Sequence, residues 1–181
     1  KPQKSKLLAE FVGIMVGDGG ITPAQVTISL NSKTDLDYSR FVVRLIQKLF
    51  GVKPNVNFHK KFLVLRVTVS RVELVKFCKI IGLHIGNKLK QGLDIPMWIK
   101  KNEEFRKKCI RGLFDTDGCV AIHKYRAGGK LYTYKKYNFS SASPALIVSV
   151  FSILKELGFK PRISKSGRNI WLDNQTDVRR Y

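Results

Sequence analysis

Phe11-Val-Gly-Ile-Met-Val-Gly-Asp-Gly19 returns, altered but legible, as Ile110-Arg-Gly-Leu-Phe-Asp-Thr-Asp-Gly118, each copy ending on an acid followed by glycine. The copies stand 99 residues apart (117 − 18); Ala9, Gly13 and Gly17 fall four apart in the first, as do Gly112 and Thr116 in the second. Residues four apart share one face of a helix. Small residues on such a face let two backbones approach closely, and an interior glycine costs about 1 kcal/mol against alanine, so it needs a packing reason. Two helices packed face to face, one from each copy, supply that reason. Asp18 and Asp117 then occupy equivalent ends of neighbouring helices, where the last carbonyls already carry partial negative charge and a carboxylate is disfavoured. A bound cation would resolve the conflict.

The charge balance points to a polyanionic partner. Lys and Arg number 34 against 13 Asp and Glu, a formal charge of +21 on 181 residues, so the compact state repels itself unless something neutralises it. Duplex nucleic acid, with one charge per ~1.7 Å of axis, is an economical counter-charge. A ribosomal-type protein and a basic membrane-surface protein are the plainer alternatives. Hydrophobic residues make up 44% of the chain, enough for a folded core rather than a basic tail. The longest apolar run, Ala145 to Leu154, contains two serines and is far shorter than a spanning helix needs. With no secretory leader in the opening residues, the expected setting is intracellular: the cytoplasm or nucleoid of a prokaryote, or an organelle. Cys78, Cys109 and Cys119 form no CxxC pair and read as free thiols, and His59, His84 and His123 form no ligand cluster.

The two halves repeat beyond the acidic motif. Val26, Ile28 and Leu30 alternate with Gln25, Thr27, Ser29 and Asn31, an amphipathic strand with a polar face open for recognition. Ser32 to Asp35 offers helix-start chemistry for a helix whose apolar residues run from Phe41 to Leu49 and which Gly51 and Pro54 close. In the second half Ser143 caps, Pro144 sits in the first turn, and Gly158 and Pro161 end the corresponding helix. Ile46-Gln-Lys-Leu-Phe-Gly-Val-Lys-Pro54 and Ile153-Leu-Lys-Glu-Leu-Gly-Phe-Lys-Pro161 match at an offset of 107 (158 − 51), which places about eight extra residues in a Lys124–Lys136 hairpin. Each half continues into two strands, Asn55 to His59 with Phe62 to Val69, and Arg162 to Lys165 with Arg168 to Leu172. Ser70-Arg-Val-Glu73 reads as a capping box opening a further helix, with a cousin in Asn174-Gln-Thr-Asp177. The expected fold class is α+β, an αββαββα unit duplicated with pseudo-twofold symmetry. The halves are placed at residues 5–83 and 103–181, joined by a linker over 84–102, with the last helix incomplete at Tyr181.

Ile110-Arg-Gly-Leu-Phe-Asp-Thr-Asp-Gly118 resembles the signature of the LAGLIDADG homing endonucleases, and Phe11 to Gly19 is similar but degenerate. The resemblance covers essentially the whole chain. It implies a single-chain, monomeric enzyme whose two motif helices form the central interface, with antiparallel strands making a saddle along the DNA major groove. It implies that Asp18 and Asp117 are the catalytic, metal-binding acids, that the carbonyls of Gly17 and Thr116 add ligands, and that Mg²⁺ (or Mn²⁺) is the cofactor. The implied activity is a double-strand break with short 3′ overhangs in a long duplex target. The family's additional acid, present as Asp115, is replaced by Val16 in the first copy. Since residues two apart point to different helix faces, Asp115 reads as an interface residue and not an indispensable ligand.

Candidate DNA contacts on the polar strand faces are Gln25, Thr27, Ser29, Asn31, Arg66, Thr68, Lys136, Asn138, Arg162, Ser164, Arg168 and Trp171. Lys33 and Lys124 join Asn31 as candidates to assist near the acids, and Lys60, Lys61, Lys124, Arg126, Lys130 and Lys135 are expected at the phosphate backbone. Tyr125, Tyr132, Tyr134 and Tyr137 are expected to stiffen the long hairpin. The alternative function keeps the scaffold without cleavage, as an RNA-splicing maturase with intron RNA as partner or as a DNA-binding regulator. Retention of both acids weighs against a pure binder.

Overall fold

The computed structural model describes residues 2–180; Lys1, Tyr181 and the side chain of Lys60 lie outside the described residues, as do the readings that concern Tyr181 as a chain end and Lys60 as a phosphate contact. Helix α1 (Lys6–Gly17) begins where the Ser5 hydroxyl accepts from the Leu8 N–H at 3.3 Å. Residues Leu8 to Val16 are all buried, as in a helix surrounded by protein. Strands β1 (Gly19–Ile21) and β2 (Val26–Asn31), helix α2 (Leu36–Phe50), strands β3 (Asn55–His59) and β4 (Val64–Val69), and helix α3 (Val72–Ile80) follow. The four strands form an antiparallel sheet in the order β1-β2-β4-β3. Phe50 of α2 lies edge-on to Phe11 of α1 at 5.1 Å and to Phe77 of α3 at 5.9 Å, tying the three helices together. Gly51 ends α2 at φ +66°, a left-handed conformation open to glycine at no steric penalty.

After a connector carrying the short helix α4 (Met97–Lys100), the same series returns. It comprises α5 (Glu103–Asp117), β5 (Gly118–Ala127), β6 (Lys130–Ser140), α6 (Pro144–Glu156), β7 (Arg162–Ile163), β8 (Asn169–Leu172) and α7 (Gln175–Arg180), with sheet order β5-β6-β8-β7. The duplicated αββαββα order is therefore present. Asn102 Oδ1 accepts from the Phe105 N–H at the start of α5, and Ser143 Oγ accepts from the Leu146 N–H at the start of α6, both as their sequences require. The Ser70 box is not formed. Arg71 holds the cap position of α3, which makes Glu73 the second helical residue rather than the third, one place out of register for the reciprocal bond.

The chain divides into two compact units, residues 1–116 and 117–181. The first contains nearly all of α5 as well as the first repeat, because α5 packs on α1. In the second, β8 pairs with β6 only at Tyr137 to Ser140, so the outer part of β5 and β6 is a two-stranded ribbon closed at Gly128 and Gly129. The extra residues of the second repeat are in this ribbon. Among the described residues no helix is long and apolar enough to cross a membrane.

Candidate metal-binding helix end and nucleic-acid interface

The two motif helices meet through their glycines. A Cβ placed on Gly13 would overlap the carbonyl of Cys109 and stand 3.0 Å from Leu113 N; one on Gly112 would overlap the carbonyl of Glu10 and stand 3.1 Å from Ile14 N. These contacts are reciprocal at the sequence offset of 99, since 109 and 113 correspond to 10 and 14. The small-residue face thus brings backbone against backbone. Burial pushes the Cys109 thiol at this seam up to about 12.

Asp18 immediately follows α1, its N–H bonded to the Ile14 carbonyl and its own carbonyl accepting from the Ser29 N–H of β2. Around it the helix terminus presents a row of carbonyls, and the ammonium of Lys88, from the connector, occupies that row. Lys88 Nζ donates to Val16 O at 2.7 Å, to Gly19 O at 3.0 Å and to Gly17 O. A cation at a helix C-terminus offsets its partial negative charge. The expectation from the sequence is a bound cation between the two acids; what the structure places at the end of α1 is a lysine on its backbone carbonyls. The Gly17 carbonyl, expected to serve a metal, is already an acceptor for that lysine. Nothing in the sequence near Lys88 marks it; the connection spans 71 residues.

These donors suit a hard divalent ion. The backbone carbonyls and the carboxyl group of the adjoining Asp18 are all oxygens, the donor type Mg²⁺ takes when it keeps water and phosphate in its remaining positions. Among the described residues no group of three or more His, Cys, Asp and Glu gathers. In the second copy Asp117 is the last residue of α5, and the Thr116 hydroxyl turns back to donate to Leu113 O at 2.9 Å.

Beside α1 lies a polar cluster that the sequence reading did not anticipate. Glu10, 2% exposed, has Arg111 Nε 3.3 Å from Oε1 and Lys108 Nζ 3.8 Å from Oε2. Arg111 Nε also stands 3.7 Å from Asp115 Oδ2. Desolvation raises the Asp115 carboxyl pKa against the opposing pull of Arg111. The buried hydroxyl of Tyr38 faces this group, and burial, reinforced by Asp115, Glu10 and Asp18, raises its pKa. Asp115 thus sits in an interhelical ion network, consistent with the interface role expected from its helical phase.

Residues paired across an antiparallel ladder share a face. In the first sheet Thr27 pairs with Thr68, Ser29 with Arg66, and Asn55 and Asn57 of β3 with the same two β4 residues, while Ile28, Leu65 and Val67 turn to the core. Thr27, Ser29, Arg66 and Thr68 therefore share one polar face as expected. Asn55, Asn57 and His59 extend it; their alternation with Val56 and Phe58 was the sequence signal for them. Gln25 lies in the β1–β2 turn, Asn31 Oδ1 accepts the N–H of Lys33, and Lys33 is exposed in the following loop.

In the second sheet Lys136, Asn138, Trp171 and Arg162 share a face, opposite to Phe139, Ile170 and Leu172. Asn138 is buried there and donates to Ile170 O, so its amide is committed within the sheet. Lys124 and Arg126 occur on the other face of the ribbon, with Val120, Ile122 and Leu131. The ribbon's aromatics divide likewise. Tyr125, Tyr132 and Tyr134 join His123 in mutual contact at 5.1 to 5.7 Å, whereas Tyr137 belongs to the opposite face. Ser164 hydrogen-bonds Ser166 in the β7–β8 turn, and Arg168 is exposed beside it. Asp173, just beyond β8, accepts from Arg162 Nε at 2.8 Å and pairs with Lys136 Nζ at 3.1 Å. Burial alone would raise its pKa, but the bonds from Arg162 and Lys136 override that and hold it below the usual carboxylate value.

The duplicated αββαββα order and glycine-packed helices ending in Asp define a protein of the LAGLIDADG fold. Residues 104–180 match the family model of the LAGLIDADG-like domain. The replication factor C small subunit of Methanocaldococcus jannaschii is 26% identical over 181 residues, a match covering 90% of this chain and 9% of that protein, so the chain spans a small part of that relative. The homing endonuclease I-LtrWI bound to target DNA is similar with a TM-score of 0.63 at 13% identity, over 97% of this chain and 81% of that one. Full-length DUF199/WhiA from Thermatoga maritima is similar with a TM-score of 0.61 at 14% identity, over 98% of this chain and 55% of that one. At these identities the likeness to the solved structures is one of fold.

Proposed function

We propose that this chain is a site-specific endonuclease of homing type that binds a long duplex target as a monomer and hydrolyses one phosphodiester on each strand. The observation that carries this reading is the oxygen-lined cation seat beside Asp18, in a chain that keeps the equivalent acid, Asp117, in its second motif. Asp18 and Asp117 would each hold a divalent ion, with the Gly17 and Thr116 carbonyls as further donors. A divalent ion such as Mg²⁺ (or Mn²⁺) held there would contribute charge neutralisation at the phosphate and activation of water. Lys88 neutralises the end of α1 while no divalent ion is bound, and would yield the Gly17 carbonyl when one binds. The polar sheet faces, with Ser29, Arg66, Asn57, Lys136 and Arg162, position the duplex, and water is the nucleophile.

The experiment is cleavage of a randomised duplex library with Mg²⁺, in parallel with Ca²⁺ and with an Asp18→Asn/Asp117→Asn variant, followed by sequencing of the ends. Discrete breaks with short 3′ overhangs, absent from the variant, are the expected result. The fold is shared by WhiA as well as by a homing endonuclease, which favours a second reading, a nucleic-acid binder or maturase without cleavage. Sequence-selective binding with uncut DNA would establish that reading instead.

A further inference from the structure

We infer that Asp173 sets sequence specificity by holding Arg162 and Lys136 in a fixed fork for reading bases. The inference rests on the proposed DNA-binding function. An acid is out of place on a surface that meets phosphates, and this chain has few acids, 13 against 34 basic residues. Asp173 nonetheless occurs on the polar face of the second sheet. It continues the β8 face of Trp171, opposite to Leu172, and extending the Tyr137–Leu172 register places it across from Lys136. From there it engages two candidate DNA contacts at once, Arg162 Nε at 2.8 Å and Lys136 Nζ at 3.1 Å.

The atom used on Arg162 matters. A carboxylate bonded at Nε leaves the two terminal nitrogens of the guanidinium outside that bond, and these can donate side by side to guanine O6 and N7. Restraining a flexible arginine before binding removes part of the entropy that contact would otherwise forfeit. Lys136 is held from two sides, by Asp173 and by the Tyr134 ring at 5.2 Å from its ammonium, and it is 20% exposed where Arg162 is 57% exposed. Arg162 is therefore the member that reaches outward, and guanine is the base it would read. An ion pair with no recognition role would serve stability alone, and at this exposure would contribute little.

The test is selection from a randomised duplex library by the full chain in Ca²⁺, with sequencing of the bound fraction, for the wild type and for Asp173→Asn and Arg162→Lys. Asp173→Asn removes the clamp and a negative charge together. It is expected to bind the unselected library at least as tightly as wild type while preference for guanine at one or two adjacent positions falls about tenfold. Arg162→Lys keeps the charge without the fork and should lose the same positions, with an unchanged salt dependence of library binding. Preferences unchanged in Asp173→Asn, or weakened evenly across the site, would overturn the clamp alone. A wild type that enriches no sequence would overturn the DNA-reading function and the clamp with it.

Discussion

Gly13 leaves no room for a side chain, because a single added carbon would strike the carbonyl oxygen of Cys109 on the facing helix. The sign of one substitution follows from that contact. On an open helix face Gly→Ala stabilises by about 1 kcal/mol. At Gly13 the two backbones must part, and overpacking of this kind costs about 3 kcal/mol. Gly13→Ala and Gly112→Ala are each expected to lower the urea midpoint with an unchanged slope. A midpoint that rises in either variant would show that the helices do not meet there.

Lys88→Met removes an ammonium that serves several carbonyls at the end of α1. Hydrogen bonds to charged groups contribute about 2 kcal/mol, so the thermal midpoint should fall. Because the vacated seat is lined by oxygen next to Asp18, excess MgCl₂ should raise the midpoint of Lys88→Met more than that of the wild type, with NaCl at matched ionic strength as control. Equal shifts in the two proteins would argue that the lysine and the divalent ion do not share the seat.

Arg111→Met strands the carboxylate of Glu10, which is only 2% exposed, with Lys108 as its more distant partner at 3.8 Å. Breaking a buried pair from one side costs about 3 kcal/mol, whereas replacing both members by apolar groups is often close to neutral. The Glu10→Met/Arg111→Met double variant should therefore be more stable than Arg111→Met alone. A double-mutant cycle in urea measures the coupling, and additive losses would mean the pair is not coupled.

Asp115 has a folded-state proton affinity raised by burial, against the lowering effect of Arg111. Protons then bind more tightly to the folded than to the unfolded chain, so this residue lowers wild-type stability as pH rises through the interval between its unfolded and folded values. Asp115→Asn is free of that loss. Its thermal midpoint relative to wild type should be higher at neutral pH, and the difference should shrink as pH falls to about 4, near the unfolded value. Cleavage should persist in Asp115→Asn and vanish in Asp117→Asn. Equal loss of activity in both would make Asp115 part of the metal site.

Much of this protein is legible without coordinates. Gly13, its counterpart Gly112 and the caps Ser143 and Asn102 are local signals, and they produced the helices and the close contact they imply. Alternation placed Ser29 and Arg66 on a polar face, and the same alternation in β3 already marked Asn55 and Asn57. The less accurate readings had local causes too. The Ser70 box failed by one position of register, and Asn138, although on the polar face, is drawn inward to the Ile170 carbonyl.

The sequence by itself determined the duplicated architecture and the positions of the two acids, because periodicity, caps and an internal repeat are carried by neighbouring residues. Only the tertiary structure decided which charges meet. Lys88 reaches the end of α1 from 71 residues away, and Asp173 gathers Arg162 across 11 residues and Lys136 from another strand. Such pairings depend on where the connector folds and how the strands register, and a Coulomb partner has no sequence period by which to announce itself.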